Sequence, residues 1–266
     1  YNFGKNIKKM NLEEAKKITE SLLETFNKGG QISLDLRKKG LKKEIKKDGT
    51  PVTNGDIEVN NLLISKISKI TPNLPIVSEE TSDNKDKNNL KNFWLIDPID
   101  GTNDYVNDKD EFTLNAALII NKKPLIGIIN APDKKRLFYT FGVSNAFEIN
   151  NGIKKNLNCI KKSKLNEIKA VSYSSELKAK LREIHKKYKV TSFTKMKSSL
   201  KFCVIASGDF DFYTAEPRAC EWDIAAGHAI LENAGGIVTD FNEAHFNYGK
   251  ENFHNSSLIL RRSKIL

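Results

Sequence analysis

Cysteine is scarce in this chain and odd in number: Cys159, Cys203 and Cys220 are all it has. Three thiols with no Cys-x-x-Cys pairing exclude a disulfide framework and a thiolate zinc site, which fits a reducing compartment. Long apolar runs are missing too, and a membrane-spanning helix needs about 20 such residues. The N-terminus is polar and amphipathic, without the charged-then-apolar order of a signal peptide. The chain opens at Tyr1, which puts the native start either upstream or at Met10. Internal repeats and long flexible linkers are also absent.

What is present is ordinary for a globular protein. Of 266 residues, 39% are hydrophobic and 29% charged, enough for one large domain or two intimate halves around a sizeable core. The net charge is +11 and the pI about 9.3. Most of the excess is dispersed and matches a composition rich in Lys, Asn and Ile. One cluster differs: Arg37, Lys38, Lys39, Lys42, Lys43, Lys46 and Lys47 directly precede the segment GTPVTNGD and are suited to attracting a polyanion. No aromatic interleaving or nucleic-acid motif accompanies them, so no nucleic-acid partner is expected.

Asn11-Leu12-Glu13-Glu14 resembles a capping box. Leu12, Ala15, Ile18, Leu22 and Phe26 follow at helical spacing, and Gly29-Gly30 is expected to stop that helix. Asp56 is expected to cap a second helix carrying Leu63, Ile67 and Ile70. Strands are expected at 76–78, 93–96, 112–120, 124–130 and 136–141, with a turn at Asn150-Asn151-Gly152. Beyond about residue 155, strands at 168–172, 190–194, 210–214, 236–240 and 258–260 alternate with helices at 175–188, 198–207 and 223–234. The reading is an α+β half, residues 1–154, followed by an α/β half, residues 155–266.

Three acidic sites carry the chemistry. In Trp94-Leu95-Ile96-Asp97-Pro98-Ile99-Asp100-Gly101-Thr102 an apolar run ends in two carboxylates. Pro98 lacks the N–H that a ladder needs and is expected to stop the strand. Gly101 permits a sharp turn. Two fixed carboxylates suit a hard cation such as Mg²⁺, and a helix starting beside them would offer N–H groups to an anion. Together they suit a phosphate ester. The bland alternative is a turn with Asp as a cap. Ser78-Glu79-Glu80 ends another apolar run, and Glu221-Trp222-Asp223 opens a helix, where Asp223 also reads as a cap. Three such sites supply carboxylates for two or more Mg²⁺ ions.

These residues carry a resemblance. The segments GTPVTNGD, Ser78-Glu79-Glu80, WLIDPIDGT and WDIAAGHAILENAGG, in this order, are similar to those of the inositol monophosphatase superfamily of Mg²⁺-dependent, lithium-sensitive phosphatases. EFTLNAALI and Ser198-Ser199-Leu200-Lys201-Phe202-Cys203 resemble the bacterial 3′(2′),5′-bisphosphate nucleotidases of the CysQ type. The resemblance implies a layered αβαβα fold with the site between the halves. It implies two or three Mg²⁺ ions held by Glu79, Asp97, Asp100, Asp223 and the backbone carbonyl of Ile99, with Glu80 holding the third ion through water. Thr102 would orient the attacking water and Asp56 would hydrogen-bond Thr102, with Glu79 serving the catalytic set as well.

For the substrate, the resemblance implies contacts from Gly101, Thr102, Ser198, Lys201, Arg218, Glu221 and Asp223. Ser198 and Lys201 are three apart and would share a helix face toward the phosphate that is not cleaved. His228 is read as a packed helix residue. Gly55, Lys197 and Ala215 depart from the family pattern, which favours Ala, Gly and Arg there. The implied activity is removal of the 3′-phosphate from adenosine 3′,5′-bisphosphate, a small-molecule nucleotide, in the cytoplasm. Peripheral attachment to the cytoplasmic face of the inner membrane is left open, as is the oligomeric state. The rivals are an inositol or sugar phosphate phosphatase and a non-catalytic basic protein that binds polyanions or nucleic acid.

Overall fold

The computed structural model describes residues 10–46, 49–81, 89–160 and 167–264. Lys47 of the basic cluster lies outside the described residues. Helix α1 spans Leu12–Lys39. The Asn11 side chain accepts from the Glu14 N–H at 2.8 Å, and the Glu14 carboxylate accepts from the Asn11 N–H at 3.0 Å. Gly29-Gly30 does not end this helix, contrary to expectation. The pair is there for packing: a Cβ at Gly30 would lie 2.7 Å from the Asn130 amide nitrogen, and one at Gly29 would lie 3.0 Å from Leu114. Gly30 therefore lets the helix settle against the sheet, at a cost in helix propensity that the contact offsets.

Strands β1 (Lys43–Ile45) and β2 (Pro51–Thr53) form a small antiparallel pair and lead into α2 (Asn54–Ile70). Each strand has only three residues and no apolar alternation, so the expected elements do not include them. The cap of α2 is Thr53, not Asp56; Asp56 is its third residue and completes a capping box.

The larger sheet has seven strands: β3 (Ile76–Ser78), β4 (Phe93–Asp100), β5 (Thr113–Ile120), β6 (Lys123–Ala131), β7 (Arg136–Thr140), β8 (Ala146–Asn150) and β9 (Ile153–Asn156), side by side in chain order. All its pairings are antiparallel except β3 with β4. A five-stranded sheet holds β10 (Ile168–Ser172), β11 (Val190–Lys195), β12 (Phe212–Ala215), β13 (Ile237–Thr239) and β14 (Leu258–Arg261), in the order β11-β10-β12-β14-β13. The expected division at 154/155 falls within β9.

Four further helices are α3 (Thr102–Val106), α4 (Ala179–Lys187), α5 (Leu200–Ala206) and α6 (Glu221–Asn233). Helices α1 and α2 bury their apolar stripe on one face of the larger sheet. Helices α5 and α6 lie between the two sheets and share the largest core cluster with both. Helix α4 covers the outer face of the smaller sheet. The layers run αβαβα, as expected. Among the described residues no helix is long and apolar enough to cross a membrane.

Candidate active site

Pro98 does not end β4; it bulges it. Asp97 pairs with Asn115 and Asp100 with Thr113, so three steps along β4 match two along β5. The extra residue absorbs the ladder bond that proline cannot make. It also changes the parity of the strand: side chains three apart normally point to opposite faces, and the bulge turns Asp97 and Asp100 to the same side. Gly101 follows at φ 95°, a left-handed conformation that favours glycine, and opens α3. The Thr102 hydroxyl sits 3.1 Å from the Ile99 carbonyl and 3.2 Å from Asp56 Oδ1, able to donate to either.

Asp56 is 1% exposed. Its Oδ2 accepts from the Thr53 N–H at 2.7 Å and the Thr53 hydroxyl at 2.6 Å. Burial pushes its carboxyl up, against the pull of Thr53 and Thr102. The departure at Gly55 has a direct cause here: a Cβ would lie 2.4 Å from the Tyr105 hydroxyl, which donates to the Ser33 carbonyl at 2.6 Å.

Parallel pairing with β4 brings the end of β3, and with it Glu79 and Glu80, beside Asp97. On the far side, the start of α6 presents Asp223, whose Oδ2 accepts from the Cys220 N–H at 2.7 Å. The four acids share one electrostatic environment. Asp97 is held far above the usual carboxylate range by burial first, then by the charges of Glu79, Asp100 and Asp223. Asp223 is raised by burial, then by Asp100 and Glu79. Burial also raises Glu79, against the pull of Lys46. Lys46 Nζ lies 3.2 Å from Glu79 Oε1 and 2.7 Å from Glu80 Oε1. Even so, burial and Glu79 leave Glu80 at about 7.

The residues fit a divalent cation. Asp97 Oδ1 is buried with no hydrogen-bond partner, and the crowded acids, with Glu79, Asp97 and Asp223 raised, call for positive charge. Among the described residues no three His, Cys, Asp or Glu side chains already converge on one coordination point.

Ser199 ties the cluster together. Its hydroxyl lies 2.7 Å from Asp100 Oδ2 and 2.6 Å from the Asp223 carbonyl, and it accepts from the Asn115 amide at 2.9 Å. On sequence alone Ser198 and Lys201 have roles but Ser199 has none, and Lys46 is marked only for its charge.

Asp100 and Asp223 open into a cleft that Ser198, Lys201 and Arg218 also line. Ser198 lies outside α5, with φ 52°, so it and Lys201 meet through a turn rather than along a shared helix face. Lys201 is 7% exposed and its ammonium donates to the Ser198 carbonyl. Burial pulls it down to about 8, against the pull of Asp100. Ala215 lines the cleft without charge. Glu221 does not line it: the fully buried carboxylate accepts from the Gly249 and Lys250 N–H groups at 2.8 and 3.0 Å and pairs with Lys250 Nζ at 2.6 Å. His228 bonds Tyr248 and Glu232 within the fold.

Comparison with known proteins agrees with this arrangement. The 3′(2′),5′-bisphosphate nucleotidase CysQ of Buchnera aphidicola is 37% identical over 204 residues, 76% of each chain. Its counterpart from Escherichia coli K12 is 32% identical over 212 residues, 79% of this chain and 85% of that one. The crystal structure of CysQ from Bacteroides thetaiotaomicron superposes with a TM-score of 0.75 at 26% identity, covering 94% of this chain and 98% of that one. The inositol monophosphatase family model matches residues 5–265, and the chain belongs to that family.

Proposed function

We propose that this enzyme hydrolyses the 3′-phosphate of adenosine 3′,5′-bisphosphate, giving AMP and inorganic phosphate. One observation carries the reading: a cluster of buried acids and a set of cationic side chains open into the same cleft. The 3′(2′),5′-bisphosphate nucleotidase names of the relatives support it. Glu79, Asp97, Asp100, Asp223 and the Ile99 carbonyl would hold Mg²⁺, two or three ions by our reading, which when bound neutralises the phosphate and acidifies water.

The rest falls to this chain's own groups. Thr102 orients the water by donating to Asp56 or Ile99 and accepting a hydrogen bond from the water. Ser199 fixes the Asp100 carboxylate. Lys201 and Ser198 hold the phosphate that stays. The bond from phosphorus to the 3′-oxygen breaks as the water oxygen bonds to phosphorus, and one of the water's protons ends on the departing oxygen while the other stays with the phosphate. Scarce cysteine supports our assignment of the reaction to the cytoplasm.

The test is phosphate release with Mg²⁺ from adenosine 3′,5′-bisphosphate, its 5′-phosphosulfate analogue, inositol 1-phosphate and fructose 1,6-bisphosphate. Highest kcat/KM on a nucleotide supports the reading. Preference for inositol or sugar phosphate replaces it with a polyol phosphatase. Salt-sensitive binding of polynucleotides with no turnover replaces it with a polyanion binder.

A further inference from the structure

Three segments from different parts of the fold converge on one phenol. Tyr173 follows the end of β10, Lys197 lies in the turn between β11 and α5, and Arg218 lies in the loop between β12 and α6. Lys197 Nζ is 3.3 Å from the Tyr173 ring centroid and Arg218 Cζ is 3.6 Å from it. Lys201 Nζ lies 5.9 Å from the same centroid. Tyr173, Lys201 and Arg218 line the cleft that Asp100 and Asp223 open into.

Three cations at one ring repel each other, and the cleft acids offset them only in part: Asp100 acts on Lys201 and Asp223 on Arg218. Glu216, also in the cleft lining, is paired with Lys178. Glu111 spends a carboxylate oxygen on the Lys197 backbone N–H at 3.0 Å. Contact with a partly exposed aromatic face is too weak by itself to explain gathering like charges. Such a cluster is suited to an anion arriving from solvent, and position 215, at the same wall, is an uncharged alanine.

We propose that Lys197, held on Tyr173 beside Arg218, is a specificity determinant: it binds the second anionic group of the substrate, the phosphate that is not hydrolysed. The inference rests on the bisphosphate reading above. Tyr173 is a positioning residue. Arg218 and Lys197 both lower its hydroxyl pKa, Arg218 the more strongly, so the phenol interacts with each of them.

The experiment compares the parent enzyme with Lys197→Ala, Lys197→Arg and Tyr173→Phe, using adenosine 3′,5′-bisphosphate and 3′-AMP as substrates. Inhibition by 5′-AMP, which carries only the retained phosphate, gives a readout apart from turnover. Lys197→Ala is expected to raise KM for the bisphosphate and Ki for 5′-AMP about tenfold, the scale of one charge-assisted contact. It should leave kcat and the 3′-AMP parameters near parent values. Lys197→Arg should restore most of the loss, and Tyr173→Phe, which keeps the ring, should show a smaller version of the same split. Equal losses on both substrates, or an unchanged Ki for 5′-AMP, overturn the role of Lys197 and leave the bisphosphate reading standing. A parent enzyme that does not prefer the bisphosphate to 3′-AMP overturns both.

Discussion

Replacing Ser199 with alanine removes one oxygen from the centre of the site. That oxygen is 2% exposed as part of its residue and faces Asp100, the Asp223 carbonyl and the Asn115 amide at 2.6–2.9 Å. The hydroxyl has one proton for two acceptors, so only one donated bond exists at a time. A bond to a carboxylate contributes about 1.5–3 kcal/mol, and stranding the Asn115 donor adds to the loss. A destabilisation of about 2 kcal/mol lowers Tm by roughly 4–8 °C for a chain of this size. The larger effect concerns the metal. A group that orients a metal-binding carboxylate is worth about 10–100-fold in metal affinity or activity. Phosphate release against Mg²⁺ concentration should therefore show half-activation shifted upward about tenfold or more, with kcat at saturating Mg²⁺ nearer the parent value. An unchanged Mg²⁺ dependence in a variant with lowered Tm would refute the link between Ser199 and the metal site.

Asp100→Asn keeps the shape of the β4 bulge and removes a charge from the cluster, so kcat should fall at least about a hundredfold; near-normal turnover at saturating Mg²⁺ would remove Asp100 from the ligand set. Lys201 should give a pH signature. Its ammonium, at about 8 in the free enzyme, is charged below that value and neutral above it. KM for the bisphosphate should thus be low near neutrality and climb as pH rises through about 8, more steeply than KM for 3′-AMP, and parallel profiles would count against Lys201 as the phosphate contact. Gly55→Ala drives a methyl to 2.4 Å from the Tyr105 hydroxyl; overpacking of this kind costs about 1–3 kcal/mol, and a Tm equal to the parent's would show that the contact is soft.

The candidate acids were legible because they stand where an apolar run stops or a helix begins. Glu79 follows β3, Asp97 follows the apolar run Phe93–Ile96 within β4, Asp100 ends β4 and Asp223 lies in the first turn of α6. Their mutual arrangement was not legible, because it depends on a one-residue bulge that turns Asp97 and Asp100 to one face. Proline predicted an interruption at 98, but a sequence does not distinguish a stop from a bulge. Gly29-Gly30 misled for a related reason: a glycine pair marks a helix end or a close approach, and only the partner at Asn130 decides which. Ser199 carries no periodic signal that separates it from Ser198. Lys46 lay within a run of basic residues that reads as an attractor for a polyanion, yet folding places it against Glu79 and Glu80. Glu221, next to Trp222 and Asp223, looked like part of the site, but the first residue of α6 points toward the 249–250 backbone instead.

Asp56 and Asp223 each occupy the third position of a helix and each accept from the backbone N–H of the residue before it. If Asp56 and Asp223 serve the reaction as proposed, folding yield and turnover depend on the same carboxylate oxygens at these two positions, whereas Asp100 holds no such cap. Alanine at 56 or 223 should lower the amount of protein that accumulates in cells, because losing a cap costs about 1 kcal/mol. Asparagine at either position keeps an oxygen for the cap and should accumulate nearly normally while remaining inactive. A mutational library scored for abundance would mark 56 and 223 as structural and pass over 100; asparagine variants scored for turnover would test whether all three serve the proposed chemistry.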